Sequence, residues 1–207
     1  MSTAASSAGG AYQYVGLSAG SYKLEFAPAG NTPYVTKYYD NRFSLNAADV
    51  ITVALNNDYP DRSVILDAGG IISGTIFANG FGSLGVADAY VQLYNSNGSL
   101  VANTYSDAAG VYTFGRLFDG DYRLRVDPAS ADPLFAAYVA EYFNNAYRLQ
   151  DALAIPAALN TVQADRDVIL EVGGRITGTV TAVQTGLPIS GVTVYFYNSA
   201  NSQTGSA

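Results

Sequence analysis

The chain of 207 residues has no cysteine, no histidine, no tryptophan and a single methionine. Without His or Cys there is no Ser-His-Asp triad, no cysteine nucleophile and no zinc site of the usual nitrogen and sulfur type. A disulfide framework is excluded as well. Charge is scarce: 13% of residues carry one, against roughly 25% in ordinary soluble domains. The 10 Lys and Arg against 17 Asp and Glu give a net charge of −7. That balance argues against nucleic acid as a partner and fits a self-repelling surface. No apolar run approaches the ~18 residues of a membrane helix. The opening MSTAASSAGGA has neither the basic start nor the apolar stretch of a secretory signal.

What is present is apolar and rich in tyrosine. Hydrophobic residues make up 49% of the chain, with 17 Tyr and 21 Gly. The length suggests one or two domains with a substantial core. Abundant Tyr, Asn, Ser and Gly with few Lys leans towards the cell exterior.

The chain repeats itself, and the repeat decides its architecture. Gly69-Gly70-Ile71-Ile72-Ser73-Gly74-Thr75-Ile76 recurs as Gly173-Gly174-Arg175-Ile176-Thr177-Gly178-Thr179-Val180, an offset of 104. Asp61-Arg62-Ser63-Val64-Ile65-Leu66-Asp67 recurs as Asp165-Arg166-Asp167-Val168-Ile169-Leu170-Glu171. Tyr38-Tyr39-Asp40-Asn41 matches Tyr142-Phe143-Asn144-Asn145. Gly10-Ala11-Tyr12-Gln13-Tyr14 matches Gly110-Val111-Tyr112-Thr113-Phe114, and Gly20-Ser21-Tyr22-Lys23-Leu24 matches Gly120-Asp121-Tyr122-Arg123-Leu124. Val91-Gln92-Leu93-Tyr94-Asn95-Ser96 recurs as Val194-Tyr195-Phe196-Tyr197-Asn198-Ser199. The offset drifts between 100 and 104, which places the insertions in loops.

Locally the pattern is that of strands. Tyr22, Leu24 and Phe26 alternate with Lys23 and Glu25, and Tyr122, Leu124 and Val126 with Arg123 and Arg125. Val91 and Leu93 alternate with Tyr90, Gln92 and Tyr94, and Val192, Val194 and Phe196 behave alike. A period of two with one apolar face is a half-buried strand. Turn signals at Asn79-Gly80, Asn97-Gly98, Ala109-Gly110 and Asp119-Gly120 separate the runs. Short strands at such spacing predict a sandwich or barrel. One helical turn is read near residues 151–158, limited by Pro156.

The order GG-x-I-x-G-T, V-x-L-Y-N and S-D-A-A-G-x-Y-x-F-x-x-L-x-x-G-x-Y-R-L resembles the carboxypeptidase regulatory-like domain. Its relatives are the transthyretin-like folds and the B-type repeats of collagen adhesins. The resemblance implies an all-β fold of tandem seven-stranded Greek-key sandwiches with a period of about 104 residues. It is weak for function, because such folds serve as spacer, stalk, adhesin and sugar-binding module. Some adhesin relatives carry a Lys–Asn isopeptide bond with its lysine on the first strand. Here Gly70 to Phe77 has no Lys, and the two lysines, Lys23 and Lys37, match Arg123 and Glu141, so no such bond is expected.

On this reading residues 68–171 form a complete sandwich, residues 1–67 the later part of one, and residues 172–207 the first part of another. The two outer segments together amount to one repeat. Three arrangements answer this: a window of a longer array, a tail folded back on its own head, or a tail completing the head of the next chain. The last is strand addition, and it generates an open filament when it does not close. Short joints at Leu66-Asp67-Ala68-Gly69 and Leu170-Glu171-Val172-Gly173 favour a stiff rod over fold-back. The donor strand is placed at Val192, Val194, Tyr195, Phe196 and Tyr197. The acceptor is placed at Tyr12, Tyr14, Tyr22, Leu24 and Phe26.

The resulting expectation is a non-enzymatic structural protein of the cell surface or exterior, a fibre or stalk whose partner is itself. No cofactor and no metal are expected. Alternatives are an adhesive module stacking carbohydrate on Tyr90 and Tyr94, and spacer domains of a larger secreted protein. Asn97-Gly98-Ser99 matches the N-glycosylation pattern in an expected hairpin loop. Asp119 and Asp121, or Asp58 and Asp61, fall short of the six to eight oxygens of calcium and read as turn formers.

Overall fold

The computed structural model describes residues 4–30, 32–80, 82, 84–128, 131 and 133–206, the last four as backbone alone. The chain divides into two compact units, Met1–Val172 and Gly173–Ala207. The fold is a β-sandwich.

The first unit opens with four short strands: β1 (Gly20–Tyr22), β2 (Glu25–Phe26), β3 (Lys37–Tyr38) and β4 (Ile51–Val53). β1 pairs antiparallel with β4 and β2 with β3. Longer strands follow: β5 (Gly70–Ala78), β6 (Tyr90–Asn95), β7 (Leu100–Tyr105), β8 (Val111–Leu117) and β9 (Gly120–Asp127). The return consists of β10 (Glu141–Tyr142), β11 (Ile155–Ala157), β12 (Val162–Gln163) and β13 (Val168–Leu170).

Two sheets face each other. One runs β10-β9-β6-β7, with β11 also on β9. In the other β5 is central, with β8 antiparallel to it and β12 and β13 both parallel to it. Alternation dictates which side chains meet. Val91, Leu93, Tyr122, Leu124 and Val126 project from the first sheet, and Ile72, Ile76, Tyr112, Phe114, Val168 and Leu170 from the second, into one buried cluster. Each such side chain contributes about 1.5–3 kcal/mol by leaving water.

Glycine at position 74 is required by this packing. A Cβ there would overlap the backbone of Arg166, so the segment between β12 and β13 can lie against β5 only while residue 74 has no side chain. The turns expected at Asn79-Gly80, Asn97-Gly98 and Ala109-Gly110 are present, their glycines at positive φ. The region read as a helical turn is corrected. A 3₁₀ turn covers Leu149–Asp151, and Ile155–Ala157 is strand β11 on the edge of its sheet. Pro156 sits exposed there, where a missing N–H costs no ladder bond.

In the second unit β14 (Tyr195–Tyr197) pairs antiparallel with β15 (Gln203–Ser206). Gly174–Ala182 forms no strand; near its end Thr181 bridges Pro188.

Candidate functional site

Of the expected acceptor and donor residues, Tyr22, Phe26, Tyr195, Phe196 and Tyr197 lie on strands, whereas Tyr12, Tyr14, Leu24, Val192 and Val194 lie outside any strand. Tyr22 lies on β1 opposite Ile51, and Phe26 on β2 opposite Lys37. The other edges of β1 and β2 are unpaired among the described residues. Leu24, Phe26, Tyr12 and Tyr14 are half-buried, with Tyr12 and Phe26 in edge contact at 5.6 Å between ring centres.

Residues 4–67 reproduce the local hydrogen bonding of residues 104–171. The Tyr12 hydroxyl donates to the Arg62 carbonyl at 2.5 Å, as Tyr112 does to Arg166 at 2.5 Å. Tyr22 donates to Ser18 as Tyr122 does to Phe118. Val35 N–H reaches the Asp67 carbonyl as Val139 reaches Glu171. What differs is the company on the apolar face. Leu124, Val126 and Tyr112 are buried beneath β5 and β6, whereas Leu24, Phe26 and Tyr12 keep part of theirs in water.

The donor segment shows the same contrast. Val194 and Tyr195 are exposed, as are Val192 and Tyr197, and Phe196 is half-buried. Their counterparts Val91 and Leu93 have no exposed surface. The hairpin itself matches: Phe196 pairs with Gly205 as Leu93 does with Ala102. The Asn198 side chain accepts from the Ala200 and Ser202 amides, as Asn95 accepts from Asn97 and Ser99.

Tyr90 packs against Tyr105 with ring centres 5.1 Å apart, and Tyr94 lies 6.3 Å from Tyr142. Burial raises the Tyr94 phenol above its ordinary value. Tyr90 and Tyr105 are a cross-strand pair, a stabilising arrangement, and Tyr94 and Tyr142 meet over the intervening strand β9. Asn97 is exposed in the β6–β7 turn beside Gly98. The Asp119 carboxylate accepts the Leu159 amide at 2.7 Å, a loop-tying role. Among the described residues no group of three His, Cys, Asp or Glu is arranged to hold a metal ion. No helix among them is long and apolar enough to cross a membrane.

One repeat position carries chemistry that sequence reasoning missed. Lys37 is buried on β3, its Nζ 2.6 Å from Asp67 Oδ2. It also donates to the Ile65 carbonyl at 2.8 Å and to Asn41 Oδ1 at 3.4 Å. The hydrogen bond from Lys37, then one from Asn160, holds the Asp67 carboxyl below its ordinary range. The same position on β10 is Glu141, fully buried, with Glu171 in the place of Asp67. Neither Glu141 carboxylate oxygen has a partner in good hydrogen-bond geometry; the Glu171 backbone amide is a weak one. Burial, and then the charge of Glu171, push its pKa up to about 7; the Glu171 backbone amide offsets this in part. A lysine and an acid at one repeat position was the signal available in the sequence.

Residues 78–139 match the model of the SdrD B-like domain family. The match gives a relationship for that stretch and does not extend to the carboxypeptidase regulatory-like label. Among solved structures, the Bacillus anthracis TIE protein is similar at 17% identity and a TM-score of 0.39, over 97% of this chain and 34% of that one. The minor pilin GBS52 of Streptococcus agalactiae is similar at 12% identity and a TM-score of 0.39, over 81% of this chain and 66% of that one. The group B streptococcus pilus 2b backbone protein is similar at 13% identity and a TM-score of 0.35, over 71% and 52%. The chain thus spans about a third of the first and about half of the last. A search of curated proteins finds no significant match.

Proposed function

We propose that this chain is a structural protein of the cell surface or exterior, a string of β-sandwiches forming a fibre or stalk. The segments 1–67, 68–171 and 172–207 are one late part, one whole and one early part of the repeat. The parts are completed head to tail by strands from the next subunit or repeat. The observation that carries the reading is the pairing of two unfinished surfaces. β1 and β2 keep the hydrogen bonds of β9 and lack the neighbour that β6 gives it, while the β14–β15 hairpin keeps the form of β6–β7 with its apolar side in water. The SdrD B-like match over residues 78–139 supports a surface role. Exposed strand edges of this kind recruit another strand.

Light scattering of the whole chain across a concentration series, with electron microscopy of the same samples, tests this. Thin fibres that lengthen with concentration, and disappear on deletion of Val192 to Ala207, are the expected result. A monomer of 21.7 kDa at all concentrations, with one cooperative unfolding transition, refutes intermolecular completion.

A further inference from the structure

We infer that the central strand of the completed sandwich is supplied by Gly174–Ala182 of a second copy of this chain. It inserts between the Tyr12–Tyr14 and Val64–Leu66 segments of the first copy. This deepens the assembly proposed above and rests on it.

In the whole sandwich the Tyr112–Arg166 hydrogen bond reaches across β5, which lies between β8 on one side and β12 and β13 on the other. Tyr12 and Arg62 make the same bond. Yet no strand pairs with residues 11–15 or 63–66 among the described residues. The bond therefore ties together two unpaired segments in the way Tyr112 and Arg166 are tied across β5 in the other copy.

The segment that would fill the space shows the mark of a missing environment. Ile176 is 82% exposed where Ile72 is 0%, and Val180 is 41% exposed where Ile76 is 0%. The glycines say more. A Cβ on Gly70 would come within 2.8 Å of the Ala158 carbonyl oxygen, and one on Gly74 would overlap Arg166, so both are forced by packing. Their counterparts Gly174 and Gly178 have nothing within 4 Å of an added Cβ. Their φ angles lie outside the left-handed region as well. Glycine at 174 and 178 thus answers no demand of the segment's own surroundings; it answers one that seating beside residues 62–66 would create. Length, apolar spacing and small residues all fit one occupant.

The whole copy also sets the register. Ser73 faces Thr113, Gly74 faces Tyr112 and Ile76 faces Val168. Across copies Thr177 then faces Gln13, Gly178 faces Tyr12 and Val180 runs parallel to Val64. Gln13 and Thr177 project outward, so cysteines there leave the core intact.

The chain has no cysteine, which permits a clean test. Full-length Gln13→Cys and Thr177→Cys chains are mixed, oxidised and weighed. The expected product is the mixed disulfide dimer, lost when Val15→Cys replaces Gln13→Cys and lost when Gly178→Ala is added to the Thr177→Cys chain. Gly178→Ala should leave the circular dichroism of the free chain unchanged. Equal cross-linking from positions 13 and 15, or no effect of Gly178→Ala, overturns the inference. A parallel mixture of Glu25→Cys and Tyr195→Cys chains reports on the β14 contact of the parent reading. A dimer there with none through 13 and 177 overturns the inserted strand alone. No dimer in either mixture overturns both.

Discussion

Replacing Glu141 by Gln should reverse part of the pH dependence of stability. The side chain is fully buried, neither oxygen has a partner in good hydrogen-bond geometry, and its pKa is pushed up to about 7 against 4.5 for the free group. Between these two values the folded chain holds a proton that the unfolded chain has released, so stability falls as pH rises through this window. The full difference corresponds to about 3 kcal/mol, present as a cost by pH 8 and absent by pH 4. Glutamine cannot ionise and carries no such cost. It leaves buried amide groups short of partners, a penalty of about 1–3 kcal/mol that is constant with pH. The test lies therefore in the slope and not in the absolute stability. Urea unfolding of both full-length chains at several pH values from 4 to 8, followed by near-ultraviolet circular dichroism, gives the two curves. The wild type should lose about 3 kcal/mol more than the variant over that range. Parallel curves would refute the reasoning.

Three further outcomes follow from the same packing. Asp67→Asn should lower the melting temperature at pH 7 and make little difference well below pH 3.8. Its carboxyl is held down mainly by Lys37, so the stability it gives is present above its free value and lost on acidification; an equal loss at both pH values in calorimetry would contradict this. Tyr112→Phe removes the bond to Arg166 and should cost about 1 kcal/mol in urea unfolding, with a cost near zero counting against that bond as a tie across β5. Gly74→Ala should cost about 1–3 kcal/mol or more by forcing Arg166 away from β5, and an unchanged unfolding midpoint would show that the Arg166 segment can part freely from β5.

Much of this architecture is written in the sequence because it is local. The alternation of Tyr122, Leu124 and Val126 places their side chains on one face, and those residues are buried together. Asn79-Gly80 and Asn97-Gly98 mark their turns by positive φ at glycine. The parallel pairing of β12 and β13 with β5 has no such local mark, since about 90 residues separate the partners. Strand β11 has no local mark either, because Ala-rich sequence around Pro156 suits a turn of helix as well, and only its edge position in the sheet decides. Nothing local to Lys37 or Glu141 marks either as buried. Their burial comes from Asp67 and Glu171, 30 residues further along the chain in each copy.

The two copies separate what a strand owes to itself from what it owes to its neighbours. Tyr12 and Tyr112, Tyr22 and Tyr122, and Val35 and Val139 make matching hydrogen bonds, because those partners lie within one stretch of chain. Leu24 and Leu124 differ, because what covers Leu124 comes from β5 and β6, upstream of the repeated stretch. The hydrogen bonds, with the burial of Val35, Ala48, Ile51 and Val53, hold the form of the half; in the proposed assembly the uncovered apolar face supplies the affinity. Backbone ladders set where a missing strand must run, and hydrophobic burial supplies most of the free energy for putting one there. That division is why an outward pair such as Gln13 and Thr177 reports register, while Gly178, at the point of closest approach, controls whether the strand can seat.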